Sequence, residues 1–359
     1  MISSPPPVLA EDFDHILRHT GRVWDALRGQ RVFLTGGTGF LGCWLLESLV
    51  WANDHLGLNA SALVLTRDVE AFRAKAPHLA NHPSIRFHQG DVRSFAFPEG
   101  RFPFVIHGAA SSSTTFNEHT PLVMMETIVE GTRHTLEFAR SCGTTHLLLI
   151  SSGAVYAPPS PGMTHLPEDY RGAPDPADHR SAYAEGKRAA ELLCSLYAHT
   201  YGIQTKIARC FSFVGPYQPL DAQFAIGNFI RDGLNGGPIH VRGDGTPYRS
   251  YLYAADLAIW LWRILFQGRP CHPYNVGSEQ ALTIAELAHV VAGMFEPPPV
   301  VRIAKAPTEG HPPERYVPST CRAESELQLQ QTIDLGTAVR KSIGWHRDTL
   351  LTTLTREAE

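Results

Sequence analysis

Residues 31–42 read RVFLTGGTGFLG and run without a break into CWLLESLVWA. A short run of Val, Phe and Leu enters a glycine turn and an apolar-periodic segment leaves it, which predicts a strand, a tight loop and a helix. Gly36, Gly39 and Gly42 stand three residues apart in that turn. Glycine there lets the backbone fold back closely enough to seat a pyrophosphate against the free N–H groups of the helix start. The strand before and the helix after are the context a dinucleotide-binding loop requires. Gly36, Gly39, Phe40, Leu41 and Gly42 are therefore the first candidate cofactor contacts.

Outward from this turn the same rhythm continues. SALVLTR, IRFHQGD and FVIHGAA read as strands, PLVMMETIVEGTRHTLEFARSCG as a helix, and HLLLISS and TKIARCFSFVG as further strands. That alternation predicts an α/β fold built on a Rossmann-type, doubly wound parallel sheet. Upstream, Phe13, Ile16, Leu17, Val23, Trp24 and Leu27 recur at helical intervals, so residues 1–30 are read as a helical lead-in behind a proline-rich tip. Residues 31–211 then form the dinucleotide domain. Glycine and proline crowd the chain after residue 212, and 212–359 is read as mainly a smaller α/β substrate lobe, with a helix near 251–266 packing back on the first domain.

With 359 residues and 43% hydrophobic content the chain can bury a large core. Its formal net charge of −4 gives no basic field, so a small molecule, not nucleic acid, is the expected partner. Six cysteines are scattered without C-x-x-C spacing and are read as reduced thiols in a cytoplasmic protein. The first residues lack a basic-then-apolar leader and no apolar run reaches membrane-spanning length, so no membrane association is expected. His78 and His82 are four apart in HLANH, but no carboxylate lies between them, and no metal site is expected.

The segment SAYAEGKRAAELL places Tyr183 and Lys187 four residues apart in a helical run, on one face of one turn. An ammonium beside a phenol favours the phenolate, turning a group that ionises near pH ~10 into a usable acid and base. The strand ending ISSGAVY delivers Ser151 and Ser152 to the carboxyl edge of the sheet, where ligands of open α/β sheets bind. A hydroxyl there can hold a substrate oxygen and share a proton with Tyr183. The second strand ends in Thr66 and Arg67, with Asp68 one step late. An arginine suits a 2′-phosphate better than a ribose hydroxyl, so NADP(H) is favoured over NAD(H). After the third strand Asp91 and Val92 are placed beside the adenine, and small Ala109 and Ala110 let the cofactor lie close over the fourth.

With TGGTGFLG, GDVR, HGAA, ISSGAVY, YAEGK, IARCFSFVGP and GDGTPYRSYLYAADLA in this order, the chain resembles the extended short-chain dehydrogenase/reductase family. The likeness runs from about Gln30 to about Phe295 and is to the branch acting on nucleotide-activated sugars. It implies that Tyr183 passes the proton of a sugar hydroxyl, that Lys187 holds the nicotinamide ribose and lowers the tyrosine pKa, and that Ser152 orients the reacting oxygen. The hydride would move at a sugar carbon, C4. Ser212, Asn228 and Arg249 are the candidate substrate contacts, Arg249 matching an arginine that pairs with the diphosphate. A homodimer built from the Tyr-Lys helix and the helix around Met124 to Arg140 is also implied.

The departures select the reaction. Dehydratases of this branch carry an Asp-Glu pair directly after the catalytic Ser or Thr, where this chain has Gly153 and Ala154. Without an acid or base there, elimination is disfavoured and decarboxylation is weakened. Ser212 replaces a frequent asparagine, and the lead-in is longer than usual. A 4-ketoreductase drawing on NADPH is the leading expectation, ahead of a 4-epimerase that retains NAD and of a non-catalytic dinucleotide-binding protein.

Overall fold

The computed structural model describes residues 9–110, 119–222, 224–308, 310 and 312–358, with side chains to residue 349. Its centre is a seven-stranded sheet of β1 (Arg31–Thr35), β2 (Ser61–Thr66), β3 (Ile85–Gln89), β4 (Phe104–His107), β5 (His146–Ser152), β6 (Gln204–Cys210) and an edge strand, Pro273–Val276. The spatial order is edge strand, β6, β5, β4, β1, β2, β3, and every pairing is parallel. The order reverses between β1 and β4, which opens a crevice at the carboxyl ends of those strands.

A parallel sheet is covered on both faces, so its strands are continuous apolar runs with alternate residues entering different cores. Val32 and Leu34 of β1 face one cluster with Trp44, while Phe33 faces the other with Phe102 and Phe138. The helix Phe40–Leu56 covers the first face beside Ala254–Gln267, whose residues 254–262 are all buried. The helices Pro121–Ser141 and Ala182–Tyr201 pack together over the second face. Gly202, at φ +73°, ends the latter helix in the left-handed turn that glycine adopts without strain.

The lead-in forms an α-helix, Ala10–Thr20, and a 3₁₀ segment, Gly21–Leu27. Its apolar residues dock on the buried helix side of the sheet: Phe13 meets Trp44 with ring centroids 5.9 Å apart, and Trp24 meets Trp262 at 5.1 Å. Asp12 is buried there and accepts from the Tyr253 hydroxyl at 2.7 Å and from Lys341 at 2.9 Å.

The remaining elements make three small sheets. Phe213–Val214 pairs with Leu252–Tyr253, Ile239–Val241 with Val301–Ile303, and Tyr248–Arg249 lies between Leu282–Thr283 and Arg315–Tyr316. The helix Ile284–Ala292 starts at a capping box in which Thr283 and Glu286 satisfy each other's backbone N–H groups. Among the described residues no helix is long and apolar enough to cross a membrane.

Candidate active site

The glycine turn follows β1 directly. Gly36 has φ +75°, and a Cβ on it would stand 2.6 Å from the Gly108 carbonyl, so only glycine fits where the two strand ends meet. A Cβ on Gly42 would stand 2.4 Å from the Gly36 carbonyl oxygen. These contacts press the turn against the helix start at Phe40, whose N-cap, Gly39, supplies no side-chain cap. The uncapped N–H groups of that first turn fit a pyrophosphate, and the absent side chains leave the cradle open to it. The residues present therefore fit a dinucleotide.

The floor of the turn is held by a buried hydroxyl and imidazole chain. Thr35 Oγ1 accepts from the Gly108 and Ala109 N–H groups at 3.2 and 3.1 Å and lies 2.8 Å from His107 Nδ1. His107 Nε2 lies 3.0 Å from Thr132 Oγ1, which itself donates to the Ile128 carbonyl. Thr132 is therefore an acceptor for an Nε2–H, and Nδ1 accepts from Thr35, which requires neutral His107. Burial, then the charge of Lys187, lowers its pKa to about 3.

At the end of β2, Thr66 is buried and Arg67 is exposed. The Asp68 carboxylate caps the helix Val69–Lys75 by accepting from Ala71 N–H at 2.9 Å. Asp91 is held by Arg93 through both its backbone and its guanidinium, which keeps the carboxyl below its ordinary pKa. The adenine-facing role expected of it would compete with an ion pair already in place. Val92 is buried against Gly131, and Ala109 and Ala110 are partly buried at the end of β4.

Ser151 and Ser152 pair with Arg209 and Cys210 at the carboxyl ends of β5 and β6. Their side chains take different partners. Ser151 donates to Glu191 at 2.6 Å, in a buried network where Arg209 holds Glu191 at 2.7 Å and donates to the Tyr156 hydroxyl at 2.7 Å. The structure thus directs the Ser151 hydroxyl to a structural ion pair, a consequence of period-two alternation along the strand. Ser152 accepts from Ala154 N–H at 3.1 Å, and its hydroxyl lies near enough to Tyr183 to favour the phenolate.

Tyr183 and Lys187 sit on the helix facing that strand end. Lys187 is buried, donates to the Ile150 carbonyl at 2.8 Å, and lies 5.9 Å from the Tyr183 ring centroid. Burial lowers the lysine pKa to about 8, so it still carries its charge at neutral pH. Burial raises Tyr183 to about 12, with the Ser152 hydrogen bond opposing. The phenol is thus protonated before any ligand arrives, and the lowering of its pKa expected from Lys187 is outweighed by burial.

The substrate-side candidates are less gathered. Arg249 donates to the Tyr248 carbonyl and pairs with Glu314 at 2.9 Å. Asn228 spends its amide nitrogen on the Ala222 and Phe224 carbonyls, at 3.1 and 3.3 Å. Ser212 is partly buried, and its carbonyl accepts from Leu252 N–H. Sequence reasoning misses Tyr316, whose hydroxyl would stand 2.6 Å from a Cβ on Gly153, the residue next to Ser152. This tyrosine lies in the segment ERYVPS, whose only local signal is its extended, proline-marked character.

Comparison with known proteins gives the family and the fold. The model of the NAD dependent epimerase/dehydratase family matches residues 32–277. UDP-glucuronic acid decarboxylase 6 of Arabidopsis thaliana is 29% identical over 85% of this chain and 85% of its own length. UDP-glucuronic acid decarboxylase 1 of the same plant is 28% identical, over 89% of this chain and 71% of its own. Among solved structures, the dTDP-glucose 4,6-dehydratase of Streptomyces venezuelae, determined with NAD bound, is 27% identical with a TM-score of 0.74, covering 89% of this chain and 97% of that one. The UDP-N-acetylglucosamine 4-epimerase of Methanobrevibacter ruminantium shares the fold, with a TM-score of 0.76 at 20% identity over 89% of this chain and 99% of that one. From the glycine turn to the edge strand, then, the chain belongs to the NAD-dependent epimerase/dehydratase family.

Proposed function

We propose that this protein transfers a hydride at C4 of a nucleoside-diphosphate sugar, acting as a 4-ketoreductase. The observation that carries the reading is the meeting of Ser152, Tyr183 and Lys187 at the sheet edge beside the glycine turn, while Gly153 and Ala154 supply no acid or base. UDP-glucuronic acid and dTDP-glucose, named for the relatives, are both nucleoside-diphosphate sugars, which supports the substrate class.

A nicotinamide dinucleotide, held by Gly36 to Gly42 and by Lys187, would supply and accept the hydride. The protein's part is proton handling. Tyr183, held protonated by burial, gives its proton to the oxygen at C4 as negative charge develops there. The Lys187 ammonium steadies the phenolate left behind, and Ser152 orients the oxygen. A resting phenol suits reduction, whereas oxidation requires the phenolate first. An epimerase alternates both directions within one turnover, and the 4-epimerase with retained NAD is the second reading, favoured by the epimerase fold neighbour.

We infer NADP(H) as the preferred form, because Arg67 is exposed directly after β2 and Asp68 is spent on a helix cap. The family is described as NAD dependent, so this preference is particular to these residues. A homodimer is supported by Leu122, Val123, Leu192, Leu196 and Tyr201, large apolar residues left exposed on the two helices over the second sheet face. Six cysteines without disulfides support a reducing, cytoplasmic setting.

Incubation with a panel of 4-keto sugar nucleotides is expected to oxidise NADPH, and Tyr183→Phe to abolish the reaction. Interconversion of C4 epimers without net NADPH consumption would establish the epimerase instead. Cofactor binding with neither activity would leave a dinucleotide-binding protein.

A further inference from the structure

Two aromatic rings stand where a side chain at position 153 would be. A Cβ built on Gly153 would lie 2.6 Å from the Tyr316 hydroxyl and 2.7 Å from the Phe211 ring. The two rings pack on each other with centroids 4.7 Å apart, and the Arg249 guanidinium lies 5.8 Å from the centroid of Tyr316. Gly153 directly follows Ser152, so the wall begins beside the hydroxyl that orients the reacting oxygen and runs towards the arginine expected to take the diphosphate. A hexose held by its C4 oxygen at one end and its diphosphate at the other must pass along it.

The wall is apolar behind as well as in front. Phe211 is buried in a cluster with Val155, Tyr156 and Leu166, and Tyr316 packs against that cluster. The cations around it are engaged. Arg249 holds Glu314 at 2.9 Å, Arg209 holds Glu191 at 2.7 Å, and Arg322 lies 3.9 Å from Glu168. Arg315 lies over the Tyr248 ring at 3.7 Å, on the opposite side of its strand from Tyr316. Lys187 donates to the Ile150 carbonyl. A carboxylate brought against the two rings would therefore lose water without gaining a counter-ion, which is costly. A methyl group there buries apolar area at no such cost. In a hexopyranose only C5 bears a carbon substituent, so C6, next to the reacting carbon, is the group that an apolar wall can select.

We propose that this protein takes 4-keto-6-deoxy sugars, the C5 methyl packing on the rings of Phe211 and Tyr316, and turns away sugars with a carboxylate at C6. Resting on the reading of the site as one for C4 chemistry on a nucleoside-diphosphate sugar, it names the class of sugar. It also separates this chain from the relatives named for UDP-glucuronic acid, to which its sequence is similar.

The test is calorimetric binding to the full-length protein saturated with NADPH or NADH, where a sugar with a C4 hydroxyl cannot be oxidised. The probes are UDP- and dTDP-linked 6-deoxyglucose, glucose and glucuronic acid, which differ within each series only at C6. The 6-deoxy sugar is expected to bind about tenfold tighter than glucose and at least about 100-fold tighter than glucuronic acid. Tyr316→Phe keeps the ring and should keep this order. Tyr316→Ala removes the ring, and the advantage of 6-deoxyglucose over glucose should fall to within about twofold. Equal affinities on the native protein, or tightest binding of glucuronic acid, overturn the proposal, and so does an advantage unchanged in Tyr316→Ala. The 6-deoxy preference without reduction of any 4-keto sugar nucleotide keeps it and sinks the ketoreductase reading. Reduction of 4-keto sugar nucleotides without that preference sinks the proposal alone.

Discussion

Lys187 donates to the Ile150 carbonyl at 2.8 Å while its ammonium stands 5.9 Å from the ring centroid of Tyr183. One carbonyl of the strand thus fixes the ammonium proposed to steady the Tyr183 phenolate. Replacing Lys187 with Met keeps the length of the side chain and removes the charge. Turnover is expected to fall by a factor of about 10² or more, with the acid–base limb of the kcat/KM profile moving to higher pH. A variant with wild-type pH dependence would show that the ammonium does not act on Tyr183.

Arg67 is the residue on which cofactor choice should turn. Arg67→Ala is expected to weaken NADPH binding by about tenfold while leaving NADH within about twofold, because only the former offers a 2′-phosphate. Titration of intrinsic protein fluorescence with each cofactor measures both. Equal losses for the two would assign the arginine a general role.

His107 makes stability depend on acid. Its folded pKa is near 3 against an ordinary value of 6.5, with burial as the main cause. The unfolded chain gains this proton first as pH falls, so stability declines from about pH 6.5 towards 3 by up to about 1.4 kcal/mol per pH unit. Above 6.5 the group is neutral in both states and has no effect. His107→Gln should be less stable at pH 7 yet show a slope one proton shallower in urea denaturation across this window. Parallel slopes for the two proteins would exclude His107 as the source.

The exposed leucines of the helix Ala182–Tyr201 provide a test of assembly. Leu192→Glu with Leu196→Glu is expected to convert a homodimer to monomer in sedimentation velocity, since a buried unpaired carboxylate opposes association. Stability of the isolated subunit should change by no more than about 0.5 kcal/mol, because these side chains are exposed on it. A wild-type protein that sediments as a monomer removes the basis for the interface.

Legibility in the sequence followed the range of the interactions. The β1 turn was readable because a strand, three spaced glycines and a helix are adjacent in the chain. Tyr183 and Lys187 share a face because helical periodicity puts them there. Other details depend on partners far away. The serines at 151 and 152 look alike in sequence, yet Glu191, forty residues on, takes the first hydroxyl. Asp91 and Asp68 are visible as carboxylates, but not that Arg93 and a helix N-terminus already hold them. Tyr316 was hidden because two-residue strands carry no periodicity, and only their pairing brings it beside Gly153.

The bond from Lys341 to Asp12 joins residues separated by nearly the whole chain. Closing so long a loop is entropically costly, and non-local contacts of this kind form late. The lead-in helix buries its apolar face on Phe40–Leu56 and Ala254–Gln267, both of which precede the last helix in the chain, so this bond is a late latch on a segment already docked. A chain that stops before residue 341 keeps that packing and leaves the buried Asp12 carboxylate without its ion pair.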